Sequence, residues 1–177
     1  MKKILLFIAL LGIFAACSTT LEQKAETLLE NEIKASLDKP DTYKAIKTEV
    51  DSAYSPQDDA ELFRLLSEIA ELNQQLNLTV GSVVMTGDIK DKIKSKTERV
   101  AFLLMQKKEF VGYKVRHTFS AENNLGEVVE EQNIYLLNMD MGKVVFSMKP
   151  EDYAQLQDAI ERLKEKFRKR LEKETEE

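Results

Sequence analysis

The chain has 177 residues, 43% hydrophobic and 32% charged, with a formal net charge of −5. This length supports one domain of ordinary size whose core needs no disulfide staples, and the apolar fraction argues against intrinsic disorder. The acidic balance counts against a general nucleic-acid binder and against electrostatic attachment to an anionic membrane, because both need a positive surface. One cysteine excludes an intramolecular disulfide.

Met1-Lys2-Lys3 is a short basic segment, and Ile4 to Ala16 is a nearly unbroken apolar run. As a helix that run rises about 20 Å, short of the ~30 Å hydrocarbon core of a bilayer, so it reads as the apolar region of an export signal. It ends Phe14-Ala15-Ala16-Cys17. This resembles a lipobox, where lipoprotein processing adds diacylglycerol to the cysteine sulfur, although Phe14 replaces the usual aliphatic residue. The resemblance implies a cleaved signal over residues 1–16, lipidation of Cys17 and a short tether over 17–20. Removing the 16 leading residues leaves 161 of 177, and losing Lys2 and Lys3 lowers the basic count from 26 to 24 against 31 acidic residues, a net charge of −7. Ser18 in place of Asp implies, by lipoprotein sorting, the outer membrane where the cell has one. The absence of an acidic cluster after the cysteine implies a periplasm-facing protein. The alternative is an ordinary secretory signal with an incidental thiol.

Helical periodicity begins almost at once. Leu21, Ala25, Leu28, Leu29, Ile33 and Leu37 share one face. Thr20 with Gln23 has capping-box spacing, and Pro40 ends the helix near Asp38. Thr42 to Ala53 reads as a strand. Ser55-Pro56 opens a second helix, with serine as cap, proline in the first turn and Asp58 and Asp59 at the positive end of the dipole. Its apolar stripe is Leu62, Leu66, Ile69, Leu72 and Leu76. Residues 77–87 fit either a short strand or a buried turn, and a third helix runs from Asp88 to about Lys108. Residues 56–108 thus form a helical hairpin inserted between strands.

Alternation is clearest at Val111, Tyr113, Val115, His117 and Phe119. A turn at 122–126, a strand over Val128–Asn138, a reversal at Asp140-Met141-Gly142 and a strand over Lys143–Met148 complete an antiparallel meander. Pro150 opens the last helix, whose apolar seam is Tyr153, Leu156, Ile160, Leu163 and Phe167. That seam is too short to demand a partner helix, though self-association through it is one reading. The fold expected is α+β: an antiparallel sheet of about four strands, packed by the N- and C-terminal helices, in a single domain over 21–173 with a charged tail at 174–177.

Candidate chemistry is sparse. His117 is the sole histidine and the only side chain whose ordinary pKa lies near neutrality. Its place on the apolar face reads either as a hydrogen-bonded core residue or as an acid–base group. No Gly-x-Ser-x-Gly elbow supports a serine triad. With one histidine and the cysteine acylated, no zinc site or other metal is expected, and Asp88, Asp91 and Asp140 lack calcium-loop spacing. No cofactor is expected. Asn123 and Gly126 suit the backbone demands of a tight turn. Tyr113, Phe119, Tyr135 and Phe146 are placed on one sheet face, covered by the C-terminal helix.

Two stretches carry a resemblance. Leu37-Asp38-Lys39-Pro40-Asp41-Thr42-Tyr43 with Asp51-Ser52-Ala53-Tyr54 is one, and Phe110 through Gly126 leading into Tyr135–Asp140 is the other. Together they resemble an uncharacterised family of small bacterial exported proteins and lipoproteins, in which a variable helical region separates the two motifs. Where relatives commonly carry Arg-Ala-Lys-Asn, this chain has Ser120-Ala121-Glu122-Asn123, so two basic positions are missing. The resemblance implies the fold and supplies no mechanism. The function expected is a membrane-anchored, non-enzymatic envelope module for binding or structure, held by the lipid on Cys17 and engaging a protein partner, without nucleic acid. The alternative is an envelope hydrolase using His117 with a serine or carboxylate.

Overall fold

A computed structural model of the chain describes residues 20–78 and 83–175. The export signal and Cys17 lie outside the described residues. The fold is α+β, with a four-stranded antiparallel sheet in the order β1-β2-β3-β4.

Helix α1 (Leu21–Ser36) is set by its capping box: the Thr20 hydroxyl accepts from the Gln23 N–H at 3.2 Å, and the Gln23 side chain accepts from the Thr20 N–H at 3.0 Å. Its buried stripe is Ala25, Leu29 and Ile33. Strand β1 (Lys44–Tyr54) begins two residues later than the sequence suggests. Pro40, with its fixed φ and missing donor, opens a 3-10 turn over Pro40–Thr42, and the Thr42 hydroxyl closes it on the Lys39 carbonyl at 2.7 Å.

The second helix starts later than expected. Ser55 does not cap it: its N–H donates to the Glu109 carbonyl at 2.9 Å and its hydroxyl to the Lys107 carbonyl at 3.1 Å. The Ser55–Pro56 peptide is cis, and residues 55–58 form a turn. Asp59 is the cap instead, Oδ1 accepting from the N–H groups of Glu61 at 2.8 Å and Leu62 at 3.1 Å. Helix α2 then spans Ala60–Leu78, and α3 spans Val83–Leu104 rather than 88–108. The ambiguous stretch at 77–87 is helical at both described flanks.

Strands β2 (Phe110–Glu122), β3 (Val128–Leu137) and β4 (Val144–Met148) form the expected meander, and α4 runs over Pro150–Thr175, past the boundary read at 173. Gly112 in β2 has φ +144°, and a Cβ there would lie 2.0 Å from the Leu137 carbonyl oxygen, so a side chain is sterically barred.

Each face of the sheet has its own core. Helix α1 covers one, where Ala25, Leu29 and Ile33 meet Tyr43, Val115, Phe119, Tyr135 and Leu137. Helices α2, α3 and α4 cover the other, where Leu62, Phe63, Val100, Leu103 and Ile160 meet Leu136, with Phe146 and Met148 beside them. This corrects the single aromatic face. Tyr113, Phe119 and Tyr135 pack under α1, and Phe146 lies on the opposite side under α4. The register shift between Leu136 and Leu137 is the cause: Leu136 pairs with Phe146 but Leu137 pairs with Val144, leaving Val145 as the extra residue of a bulge. The seam of α4, from Tyr153 to Phe167, is used within the molecule against the second core.

Candidate functional site

His117 is wholly buried, at 0% exposure, in the centre of β2. Strand pairing sets Thr48 of β1 opposite it. The Thr48 hydroxyl lies 2.9 Å from His117 Nδ1 and donates to Glu26 Oε2 of α1 at 3.0 Å. An ionised carboxylate only accepts, so the Thr48 hydrogen points to Glu26 and its lone pair receives Nδ1–H. Nε2 then carries the free lone pair, and Tyr43 donates to it at 2.8 Å. The result is a directed string, Tyr43 to His117 to Thr48 to Glu26, running from the end of the 3-10 turn through two strands to the helix.

The surroundings hold both rings neutral. Burial pushes the His117 pKa below its ordinary 6.5, with the Glu26 carboxylate opposing. Burial, followed by the Glu30 and Glu26 carboxylates, pushes the Tyr43 hydroxyl up to about 12. Tyr43 and Phe119 lie near-parallel to the imidazole at 6.2 and 5.9 Å between centroids and 5.6 Å from each other, so the three rings form one cluster, and Tyr135 meets the imidazole edge-on at 6.4 Å. Chemically the string can relay a proton along its length. Its histidine has no exposed atom on which a substrate can be placed.

The other residues singled out from the sequence are dispersed. Tyr113 is half-buried under the α1 core and meets Phe110 edge-on at 5.3 Å. Asn123 is consumed by its hairpin: Oδ1 accepts from the N–H groups of Leu125 at 2.9 Å and Glu127 at 3.0 Å, and Nδ2 donates to the Glu127 carboxylate at 3.0 Å. Among the described residues no buried side-chain nitrogen or oxygen lacks a partner, and no group of three potential ligands could hold a metal ion.

Two features escaped the sequence reading. Asp58, read as a first-turn helix charge, is buried instead. Its carboxylate accepts from the Tyr54 N–H at 3.1 Å and the Tyr153 hydroxyl at 2.7 Å, with Lys114 Nζ 3.6 Å away. Burial first, then the hydrogen bond to Asp58, raises the Tyr153 pKa. The pairing joins three distant segments, so no local pattern announces it.

The second is a groove of about 650 Å³ between α2 (Leu66, Ser67, Ala70), β4 (Phe146, Ser147, Met148) and α4 (Asp152, Gln155, Leu156, Ala159). Three consecutive residues of β4 line it. Phe146 and Met148 share one strand face, pairing with Leu136 and Ile134, and Ser147 lies between them. The outer edge of β4 carries no further strand, because β4 ends the sheet.

No family model matches the chain, and no curated protein or solved structure does so either. Among the described residues no helix is long and apolar enough to cross a membrane.

Proposed function

We propose that this protein is a lipid-anchored, non-enzymatic module of the bacterial envelope that binds an extended apolar segment of a partner protein along β4. The anchor reading rests on the Phe14-Ala15-Ala16-Cys17 boundary; it puts the domain on the outer membrane facing the periplasm, in keeping with the resemblance to small exported lipoproteins.

The observation that carries the binding reading is the contrast between the two sheet edges. An unpaired edge is a template for another strand, and proteins blunt such edges with charges and bulges. Both edge strands carry a bulge, but only β1 is also blunted by charge, with Lys44, Lys47, Glu49 and Asp51 along it. Strand β4 reads Val-Val-Phe-Ser-Met, without a charge, and borders an apolar groove of a size typical of ligand sites. An added peptide strand would gain main-chain hydrogen bonds from β4 and seat its apolar side chains against Phe146, Met148 and Leu156. The hydrolase alternative has less support, since His117 is sealed and its ring nitrogens are both engaged.

The test is a photo-crosslinking residue in living cells, placed at Gln155 in the groove or at Lys47 on the opposite edge. The expected result is one discrete adduct from position 155 only, abolished when Ala159→Trp fills the groove. Equal adducts from both positions, or adducts indifferent to the filling, would reject the reading. Metabolic labelling with an alkyne fatty acid tests the anchor separately: label and membrane fractionation should both vanish in Cys17→Ala.

A further inference from the structure

The lipid-anchor reading fixes one point of the chain at the membrane, and the fold decides which end of the domain meets it. Thr20 is three residue steps from Cys17, a reach of at most about 11 Å when extended. Helix α1 starts at Leu21, and the Lys24 ammonium donates to the Asp140 carbonyl at 2.6 Å, which ties the helix start to the β3–β4 turn. Strand register gathers more of the chain there. Tyr54 pairs with Phe110 and Tyr113 with Leu137, so the end of β1, the start of β2 and the end of β3 share this end of the sheet.

Apolar side chains are exposed here: Leu21 at 49%, Phe110 at 37% and Met139 at 62%. Lys24, Lys108 and Lys143 are exposed around them, Lys108 standing 4.5 Å over the Tyr54 ring. Glu22, Glu109 and Asp140 offset these cations, so the end is near charge balance in an otherwise acidic chain. The far end differs. The β2–β3 hairpin also exposes Leu125 and Val128, but it sets them among Glu122, Glu127, Glu130 and Glu131. Among the described residues, lysines pair with only two of these, Lys39 with Glu122 at 3.0 Å and Lys149 with Glu131 at 2.7 Å, which leaves an acidic excess. Anionic headgroups would repel that end.

We propose that the end bearing Leu21, Phe110 and Met139 docks on the lipid surface, which makes the domain a membrane-seated body rather than a tethered one. The proposal rests on the lipid anchor at Cys17. Apolar side chains enter the headgroup boundary while the lysines keep their amines at the phosphates, the arrangement of interfacial anchors. The acidic hairpin, and with it the entry to β2–β3, then points away from the membrane.

The single cysteine makes the test clean, because acylation blocks its sulfur and leaves an introduced cysteine as the one free thiol. Full-length lipidated protein carrying Met139→Cys, Leu21→Cys or Leu125→Cys is spin-labelled and reconstituted into protein-free vesicles of phosphatidylethanolamine and phosphatidylglycerol. Collisions of each label with a water-soluble nickel chelate are then measured. The expected result is about threefold fewer collisions at 139 and 21 than at 125. Protein that floats with its vesicles but shows all three labels equally open to the chelate overturns the docking alone. Protein that does not float overturns the anchor, and the docking with it.

Discussion

The two faces of the sheet are closed by different physics. Under α2, α3 and α4 the packing is carried by apolar volume: Phe63 is fully buried and meets Phe146 and Tyr153 edge-on, each at 5.9 Å. The polar group on that side, Asp58 with Tyr153 and Lys114, couples the α2 entry turn to α4 and β2. Under α1 a single helix closes the face, and a histidine lies at its centre. That histidine is tolerated because both nitrogens find partners, and one of those partners leads to Glu26 on the covering helix. Volume specifies the first face; a hydrogen-bond string also specifies the helix position on the second.

Mutation should separate the two. The largest effect is expected from Phe63→Ala, which opens a cavity where three helices converge and should cost about 3–5 kcal/mol, read from urea unfolding. On the α1 face, Thr48→Val keeps the shape but leaves His117 Nδ1–H without an acceptor, and about 1–3 kcal/mol should be lost. A cost near zero would mean that packing alone holds α1.

The string also carries a pH signature. Burial holds the His117 pKa below 6.5 in the folded protein, so near and below that pH the unfolded chain binds more protons. Its contribution is complete above the unfolded value and is lost as pH falls through the folded one. Glu26, Glu30 and Tyr43 face the same site and are common to the native protein and any His117 variant. The comparison is therefore with His117→Gln: the Tm advantage of the native protein over this variant should shrink steadily as pH drops below about 6.5. A constant advantage would show that His117 does not change its proton between states. The smallest effect should come from Thr20→Ala, which removes the α1 cap at an exposed position and should lower stability by about 1 kcal/mol.

Much of the architecture was legible because it is local. The alternation from Val111 to Phe119, the turn residues at Asn123–Gly126 and 140–142, the Thr20 capping box and the seam of α4 each reside within a few neighbouring residues. The errors were also local in origin. Ser55-Pro56 has the pattern of a helix start, yet the Ser55 backbone and hydroxyl were claimed by Glu109 and Lys107, more than fifty positions away. Phe146 changed faces because of one bulge residue, Val145, whose presence depends on pairing with β3.

Sequence by itself determined the element types, their order, the antiparallel meander and the position of His117 on an apolar strand face, because periodicity and capping act over one or two turns of chain. Tertiary structure alone decided that α1 covers that face, that Tyr43, Thr48 and Glu26 converge on the histidine, and that β4 borders a groove. Those outcomes depend on strand register and on contacts between segments separated by tens of residues, where a shift of one position moves a side chain to the other face of the sheet.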